Sequence, residues 1–500
     1  MRPGTTLRFY AALVVFACGT AVVRPAELGV TNAPENQVLL NDDFGKLVVV
    51  PTNQLSPQFR PPFPLSITNQ VPSPAPGTPI STPVQEREQN ERAGRDRLQF
   101  FPPFSPPLAS YLASVDHFGN TALKPNALFP GAPNDVLPQR VKYWASEIGL
   151  RYSLQQTVTY VNMTDVMQGD NNLAYYTLAF AAKWAVYYDP PSATAGWLST
   201  QIKLKTGLDE SGNTQSAKSN LGTITDPTGI WSGFNGIGIQ ELAWQESFRD
   251  GQLVFLGGVL NQGNYLDVNT YANNGRYQFI NSALINSMVI PLPAYNFGIN
   301  LQYQFDDQWY VMAGASAGKA SGGQAPWTGF SFNNWSSAWE LGYMPKNVLG
   351  LGPGVYRLQP FVAQVGDAVE PGLGFNVQQQ LGEHAPIGVY GRFGFGGESV
   401  TAGAKAQAGA GVVIRRPLEH LGLGPSLSNH AAGLGLLWSQ PSAGSATVAH
   451  PNEYGLEAIY ILQLTPMAKL QSDFQTIWDP AYNPGASHAF VFQLQLALAW

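Results

Sequence analysis

From Phe490 to Trp500 the chain places Phe490, Phe492, Leu494, Leu496, Leu498 and Trp500 at alternate positions, with Val491, Gln493, Gln495, Ala497 and Ala499 between them. A period of two puts the six large groups on one face of an extended strand and the small or polar groups on the other. A helix would scatter the same six around its axis. Eleven tilted, extended residues are also long enough to cross a bilayer. The chain therefore ends as the closing strand of a membrane barrel reads, oily outside and wet inside.

The rest of the sequence is consistent with that ending. Charged residues make up only 12% of the chain, whereas Gly 52, Phe 26, Tyr 21 and Trp 12 are plentiful, which argues against two or three soluble domains. Mean hydropathy is -0.09. Outside the first 23 residues no uninterrupted apolar run reaches the about 18 residues that a membrane helix needs. A membrane protein built without such helices has a closed barrel as its remaining solution. Phe297, Ile299, Leu301, Tyr303 and Phe305 alternate with Gly298, Asn300, Gln302 and Gln304. Leu198, Thr200, Ile202 and Leu204 alternate with Ser199, Gln201, Lys203 and Lys205. With the apolar face turned to lipid, Lys203, Lys205, Gln302, Arg357 and Arg392 point into a lumen.

Strands are predicted over 150–162, 173–187, 196–206, 239–248, 252–260, 296–305, 308–317, 333–343, 353–364, 372–381, 386–396, 406–415, 431–440, 453–464, 467–477 and 489–500, sixteen in all. The expected fold class is all-β: a transmembrane antiparallel β-barrel of about 16 strands, preceded by a disordered proline-rich N-terminal segment. An even count with both ends in the periplasm makes short and long connections alternate. Arg249-Asp250-Gly251, Asp306-Asp307 and Thr465-Pro466 read as short turns, and 207–238 and 261–295 as long external loops. The segments 344–352 and 416–430 are long for periplasmic turns, which leaves a change of one hairpin open there.

The N-terminus supplies an address. Arg2 and Arg8 precede an apolar stretch from Phe9 to Val23, the length of a secretory signal, with small residues for cleavage near 19–22. Cys18, the only cysteine, follows Val15-Phe16-Ala17, so lipid attachment there is a second reading of the same segment; neither reading leaves a disulfide in the barrel. Fourteen of the 39 prolines fall between Pro51 and Pro107, a composition that cannot build a core, and Gln85 to Arg97 is a charged linker or short solvated helix. The expected organisation is a signal peptide over 1–22, a leader over 23–107, a periplasmic lead-in over 108–148 and a barrel over 149–500. Net charge is -6 with a pI near 5.6, which gives no reason to expect a nucleic-acid partner.

Alternation marks Lys203, Lys205, Arg357, Gln359, Asn376, Gln378, Tyr390, Arg392, Glu457, Gln471, Asp473 and Gln475 as inward candidates. For Arg357 and Arg392, solute contact competes with a cross-barrel ladder to Glu457 or Asp473 that only stiffens the wall. Lys203 and Lys205 set a mild electrostatic bias. Trp184, Trp197, Trp309, Tyr310 and Trp438, near strand ends, read as interface anchors. The connection 261–295 would be the third external loop, and it holds Tyr265, Asp267, Asn273, Asn274, Arg276, Tyr277 and Asn281. Folded inward, it would narrow the pore and bring Asp267 and Arg276 to the passage; folded outward, it would only cap the surface.

No catalytic residue is expected. Gly314-Ala315-Ser316-Ala317-Gly318 matches a nucleophile-elbow pattern but lies at a strand end with no helix following. His117, His384, His420, His430, His450 and His488 are not at ligand spacing, so neither a metal nor another cofactor is expected.

Several segments resemble the carbohydrate-selective porins of the OprB family. They are Ile148-Gly149-Leu150, Glu241 to Phe248 followed by Asp250-Gly251, Gly374 to Gln379, Gly391-Arg392-Phe393-Gly394, and the run Asn452-Glu453-Tyr454, Glu457, Leu464-Thr465-Pro466, Leu470-Gln471 through Gln475 and Asp479-Pro480 before the closing strand. The resemblance spans about Trp144 to Trp500; Trp500 stands where the family usually ends in Phe, and Asp479-Pro480 where Asn-Pro is common. It implies a sixteen-stranded outer-membrane porin that passes small carbohydrates passively, without cofactor. Expected partners are small carbohydrates, outer-membrane lipids and the barrel assembly machinery, with homo-oligomers left open. A general, weakly anion-selective pore and a structural barrel tethered through its leader are the alternatives.

Overall fold

The structure, a computed structural model, describes residues 37–41, 47–51, 145 and 150–499, apart from 190–191, 193, 209–215, 230–234, 277, 319–332, 382–386, 399–402, 421–429, 443–446 and 466–467. The expected signal peptide, the lead-in apart from Ala145, and the barrel-closing Trp500 lie outside the described residues, as does the leader except for one ribbon. Two units divide the chain, Met1–Asn69 and Gln70–Trp500. The first contains that ribbon, β1 (Gln37–Asn41) against β2 (Leu47–Pro51), antiparallel with Gln37 opposite Pro51. The two segments are aliphatic runs whose single proline sits at a strand end, where a missing N–H costs least.

The second unit carries the barrel strands β3 (Leu150–Met163), β4 (Asn172–Asp189), β5 (Thr194–Gly207), β6 (Gly236–Phe248), β7 (Leu253–Leu260), β8 (Asn296–Gln304), β9 (Trp309–Ala317), β10 (Asn334–Tyr343), β11 (Gly354–Val365), β12 (Ala368–Leu381), β13 (Ile387–Gly396), β14 (Ala404–Arg415), β15 (His430–Pro441), β16 (Glu453–Gln463), β17 (Ala468–Trp478) and β18 (His488–Ala499). Each pairs antiparallel with the next, and β18 returns to β3, with Val491 opposite Met163 and Ala499 opposite Gln155. Closure leaves no barrel strand with an open edge, the condition for a sheet in lipid.

All sixteen predicted strands are present, so no hairpin is gained or lost. Three short helices sit in connections: α1 (Ala217–Leu221), α2 (Ser282–Ile285) and α3 (Pro417–His420), the last in the long β14–β15 segment. One external connection breaks the expected long pattern. Between Val365 and Ala368 only Gly366 and Asp367 remain, and Gly366 takes φ 60, which a two-residue hairpin demands.

Parity follows the amphipathic pattern. On β18, Phe490 is 50% exposed, whereas Gln493 and Gln495 are buried inside the ring. Outward rings pack across strands, Phe375 on Phe393 at 4.8 Å and Phe474 on Phe492 at 4.9 Å between centroids. Two of the expected interface aromatics face inward instead. Tyr310 is buried, and Trp197 lies on the inward parity of β5, with the Lys183 ammonium 5.3 Å from its ring centroid. Alternation sets which face a side chain takes, and an aromatic near a strand end obeys it. Trp184 and Trp309 do project outward, and Trp438 is half-buried, its indole donating to Asn452 at 3.0 Å.

Candidate functional site

The connection 261–295 lies inside the ring. Its polar backbone would be costly to bury without partners, and inward side chains of distant strands supply them. Gln262 donates to Ser316 Oγ of β9 at 2.7 Å, and Tyr265 to Glu241 of β6 at 2.6 Å. Asp267 N–H reaches Glu340 of β10 at 3.2 Å, and Thr270 N–H reaches Gln378 of β12 at 2.8 Å. On the far side, Glu457 of β16 accepts from the N–H groups of Ile280 and Asn281 at 2.5 and 2.9 Å, and Asn281 donates to Gln475 of β17 at 2.9 Å. Gln407 of β14 grips both Ala283 O and Met288 N–H at 2.5 Å, Gln471 donates to Gln278 O at 2.6 Å, and Gln495 to Arg276 O at 3.2 Å. The loop is thus the constriction of the lumen rather than a surface cap.

Two buried ion pairs lock it. Arg392 Nε lies 2.9 Å from Asp267 Oδ2, while its remaining nitrogens donate to Asp267 O at 2.8 Å and Leu284 O at 2.5 Å. Arg357 Nε sits 3.4 Å from Glu340 Oε1, with Tyr310 OH donating to Glu340 at 2.5 Å and Gln359 donating to it at 2.7 Å. The expected ladder from Arg357 or Arg392 to Glu457 or Asp473 is therefore not what forms. The loop brings its own carboxylate, Asp267, to Arg392, and the unforeseen Glu340 takes Arg357. Glu457 turns to loop N–H groups, and Asp473 accepts from Gln475 at 2.8 Å and Gln493 at 3.1 Å. Asn376 also holds the loop, donating to Asp267 O at 2.9 Å and accepting from Asn269 at 2.7 Å.

An apolar bed lies under the same loop. Tyr271, Phe279, Leu284 and Ile285 pack on Tyr390, Val413, Leu437, Ile459 and Ile461 of the wall. Tyr390 sits against Phe279, 5.4 Å between centroids, so its ring is a support rather than an open sugar platform. Inward glycines make room: a Cβ on Gly388 would overlap the Tyr271 ring, and one on Gly435 would meet Leu284 at 2.6 Å. Burial pushes the phenols of Tyr271 and Tyr295 up to about 12, against the pull of Arg415 and Arg276 respectively, which keeps both neutral.

The second external loop also enters. Glu453 accepts from Ile224 N–H at 2.8 Å, Thr225 N–H at 3.0 Å and Thr225 Oγ1 at 2.8 Å, and Gln475 and Gln493 donate to Pro227 O at 2.8 and 2.7 Å. The two loops join where Ser282 N–H donates to Asp226 O at 2.9 Å. Opposite the bed, the inner face of β3–β6 presents Lys183, Lys203, Lys205, Ser199 and Gln245, with Lys183 donating to Gln245 at 2.7 Å. Arg276, carried on the third loop, lies within electrostatic reach of Lys203 and Lys205.

All fourteen residues singled out from sequence as lumen candidates are buried inside the ring. Glu340, Gln407, Glu453 and Gln495 were missed. The alternation that marked the others marks these too, since Glu340 lies between outward Trp339 and Leu341. Ser316 serves the loop, with its hydroxyl accepting from Gln262. Among the described residues no group of His, Cys, Asp and Glu could hold a metal.

A closed sixteen-stranded barrel with an oily belt and an external loop clamped across its lumen defines a porin. The sequence pattern of the carbohydrate-selective porin, OprB family, matches residues 193–365 and 370–499, and the chain belongs to that family. Among solved structures it is similar in fold to the high-pH structure of Pseudomonas putida OprB, at 14% identity and a TM-score of 0.57 over 72% of this chain and 96% of that one. The low-pH structure of the same protein aligns at 15% identity and TM-score 0.46 over the same shares, 72% and 96%. A mutant of Rh. blastica porin aligns at 9% identity and 0.43 over 70% and 100%. No curated protein sequence matches this chain.

Proposed function

We propose that the protein is an outer-membrane porin for passive diffusion of carbohydrates and related small hydrophilic solutes. The carrying observation is the eyelet itself: a loop fixed inside the barrel by buried side chains, facing a wall of amides, hydroxyls and cations. A sugar is neutral and dense in hydroxyls, so such donors and acceptors replace its hydration at the narrowest point. The outward apolar belt supports outer-membrane lipids as the surrounding phase, and a closed barrel needs assembly machinery to enter them. Vesicles swelling in an isotonic glucose solution test the proposal: faster swelling with purified protein than in empty vesicles is expected, and equal rates refute it.

Lys183, Lys203, Lys205 and Arg276 on one side of the lumen favour a second reading, a general and weakly anion-selective pore. Large bilayer conductance with anion preference and no block by sugars would select it.

A further inference from the structure

We infer that the β10–β11 turn, residues 344–353, is an interfacial anchor whose Leu349 and Leu351 enter the periplasmic leaflet, among the glycerol backbones and first methylenes of its phospholipids. The inference rests on the outer-membrane reading above and adds a contact surface at one rim of the barrel.

The turn is tightly built. Val348 N–H donates to Gly352 O at 3.1 Å, Leu351 N–H to Val348 O at 2.8 Å, Gly352 N–H to Asn347 Oδ1 at 3.2 Å and Gly354 N–H to Pro345 O at 3.1 Å. Within it Leu349 holds φ 51, the left-handed region that glycine or asparagine takes with less strain. The same leucine is 95% exposed, against 58% for Phe474 on the outward belt, and Leu351 is 45% exposed. A strained backbone and a bare apolar side chain at one position both cost free energy in water. A lipid surface removes the second cost.

The turn is also tied to the lipid-facing side of the wall. Trp309 lies opposite Tyr343, and Tyr343 opposite Tyr356, so three rings form a row on the outward face at the end of β9–β11 where the turn begins. Their centroids stand 4.4 and 6.4 Å apart, and such rows occupy the membrane–water interface. One step beyond, Gln379 lies opposite Gly354 on the same outward parity. Its Oε1 accepts from Tyr356 OH at 2.6 Å, and its Nε2 donates to Gly352 O at 3.0 Å and Pro353 O at 3.1 Å. A Cβ on Gly354 would stand 2.5 Å from that Oε1, so the glycine leaves the slot in which Gln379 reaches the turn. The aromatic row is thereby fastened to the segment that carries the two leucines, and the apolar belt continues into it. On the other flank Lys346 pairs with Asp307 at 3.2 Å, both well exposed, which leaves the leucine side as the apolar one. Two leucines fall short of the roughly 20–30 residues a side of a stable protein interface. Insertion into a leaflet needs no such matching surface.

Depth-dependent quenching in phospholipid vesicles tests the anchor. Cys18, the chain's only cysteine, is changed to Ser, and an environment-sensitive dye is placed at Leu349→Cys or, on the belt at mid-β15, at Leu436→Cys. Interfacial apolar groups lie about 5–10 Å into the headgroup and acyl boundary. The dye at 349 should therefore lose more fluorescence to a nitroxide near the lipid headgroup than to one near the chain end, and the dye at 436 should show the reverse order. A dye at 349 quenched more by the deep nitroxide, or by neither, overturns the anchor. If the dye at 436 is quenched by neither as well, the outer-membrane reading beneath it fails. Because the dye is itself apolar, hydrogen exchange of the unlabelled, reconstituted protein supplies the second arm. Leu349→Asn suits the left-handed backbone better, so without a lipid contact the turn should exchange more slowly. The anchor predicts the opposite, faster exchange of the Val348, Leu351 and Gly352 amides. Equal or slower exchange overturns it.

Discussion

Arg392 shows how much a single position reveals. Alternation between outward Phe393 and its neighbours places it in the lumen from sequence alone, but its partner Asp267 lies 125 residues away in a loop with no periodicity. The charge was legible and the pairing was not, because the pairing depends on where an irregular segment comes to rest. Removing the guanidinium would strand a buried carboxylate and two carbonyl acceptors, Asp267 O and Leu284 O. Loss of one partner of a buried pair costs about 3–5 kcal/mol, here drawn from loop docking rather than from the barrel sheet. Arg392→Ala should therefore raise single-channel conductance and current noise and expose 261–295 to protease. Arg392→Lys, which keeps the charge but not the fork, should fall between. Unchanged conductance in both would mean that the pair does not hold the constriction.

Strands were legible because each carries its own signal, a period of two with an oily face, and β18 repeats it over its whole length. The third loop carries none, and its hydrogen bonds come from strands as distant as β6 and β18. A trace of it was nevertheless written on the wall. Gly388, Gly409, Gly411, Gly433 and Gly435 occupy inward positions on β13–β15, where a water-filled lumen would favour polar side chains. A run of inward glycines on adjacent strands requires something bulky in front of them: Tyr271, Phe279 and Leu284 of the loop stand before Gly388, Gly409, Gly433 and Gly435, while Gly411 makes room for the Tyr390 ring of the neighbouring strand. Gly388→Ala tests this fit, since the new methyl overlaps the Tyr271 ring. Overpacking of this kind costs about 1–3 kcal/mol. Faster hydrogen exchange across 265–285, with the barrel strands unaffected, is expected. Tyr271→Leu in the same chain should restore protection, and a failure to do so would place the strain elsewhere.

For the whole molecule, the question is what the long leader contributes. Its composition was plain in the sequence, because prolines at that density prevent a packed core, although the small ribbon of β1 and β2 inside it was not foreseen. Among the described residues the barrel sheet takes its strands from Leu150 onward, and β1 pairs with β2. Closure rests on β3 against β18, and the constriction is held by side chains from Glu241 to Gln495, within the barrel strands and the loops between them. Deleting residues 27–105 should leave a barrel that still admits glucose into vesicles at the rate of the full chain. A cell carrying the deletion would then show whether the leader tethers the envelope, through membrane leakage or blebbing with sugar entry intact. Slower glucose entry in purified, reconstituted protein would instead mean that the leader acts on the passage itself, and the barrel could not be treated as the complete transport unit.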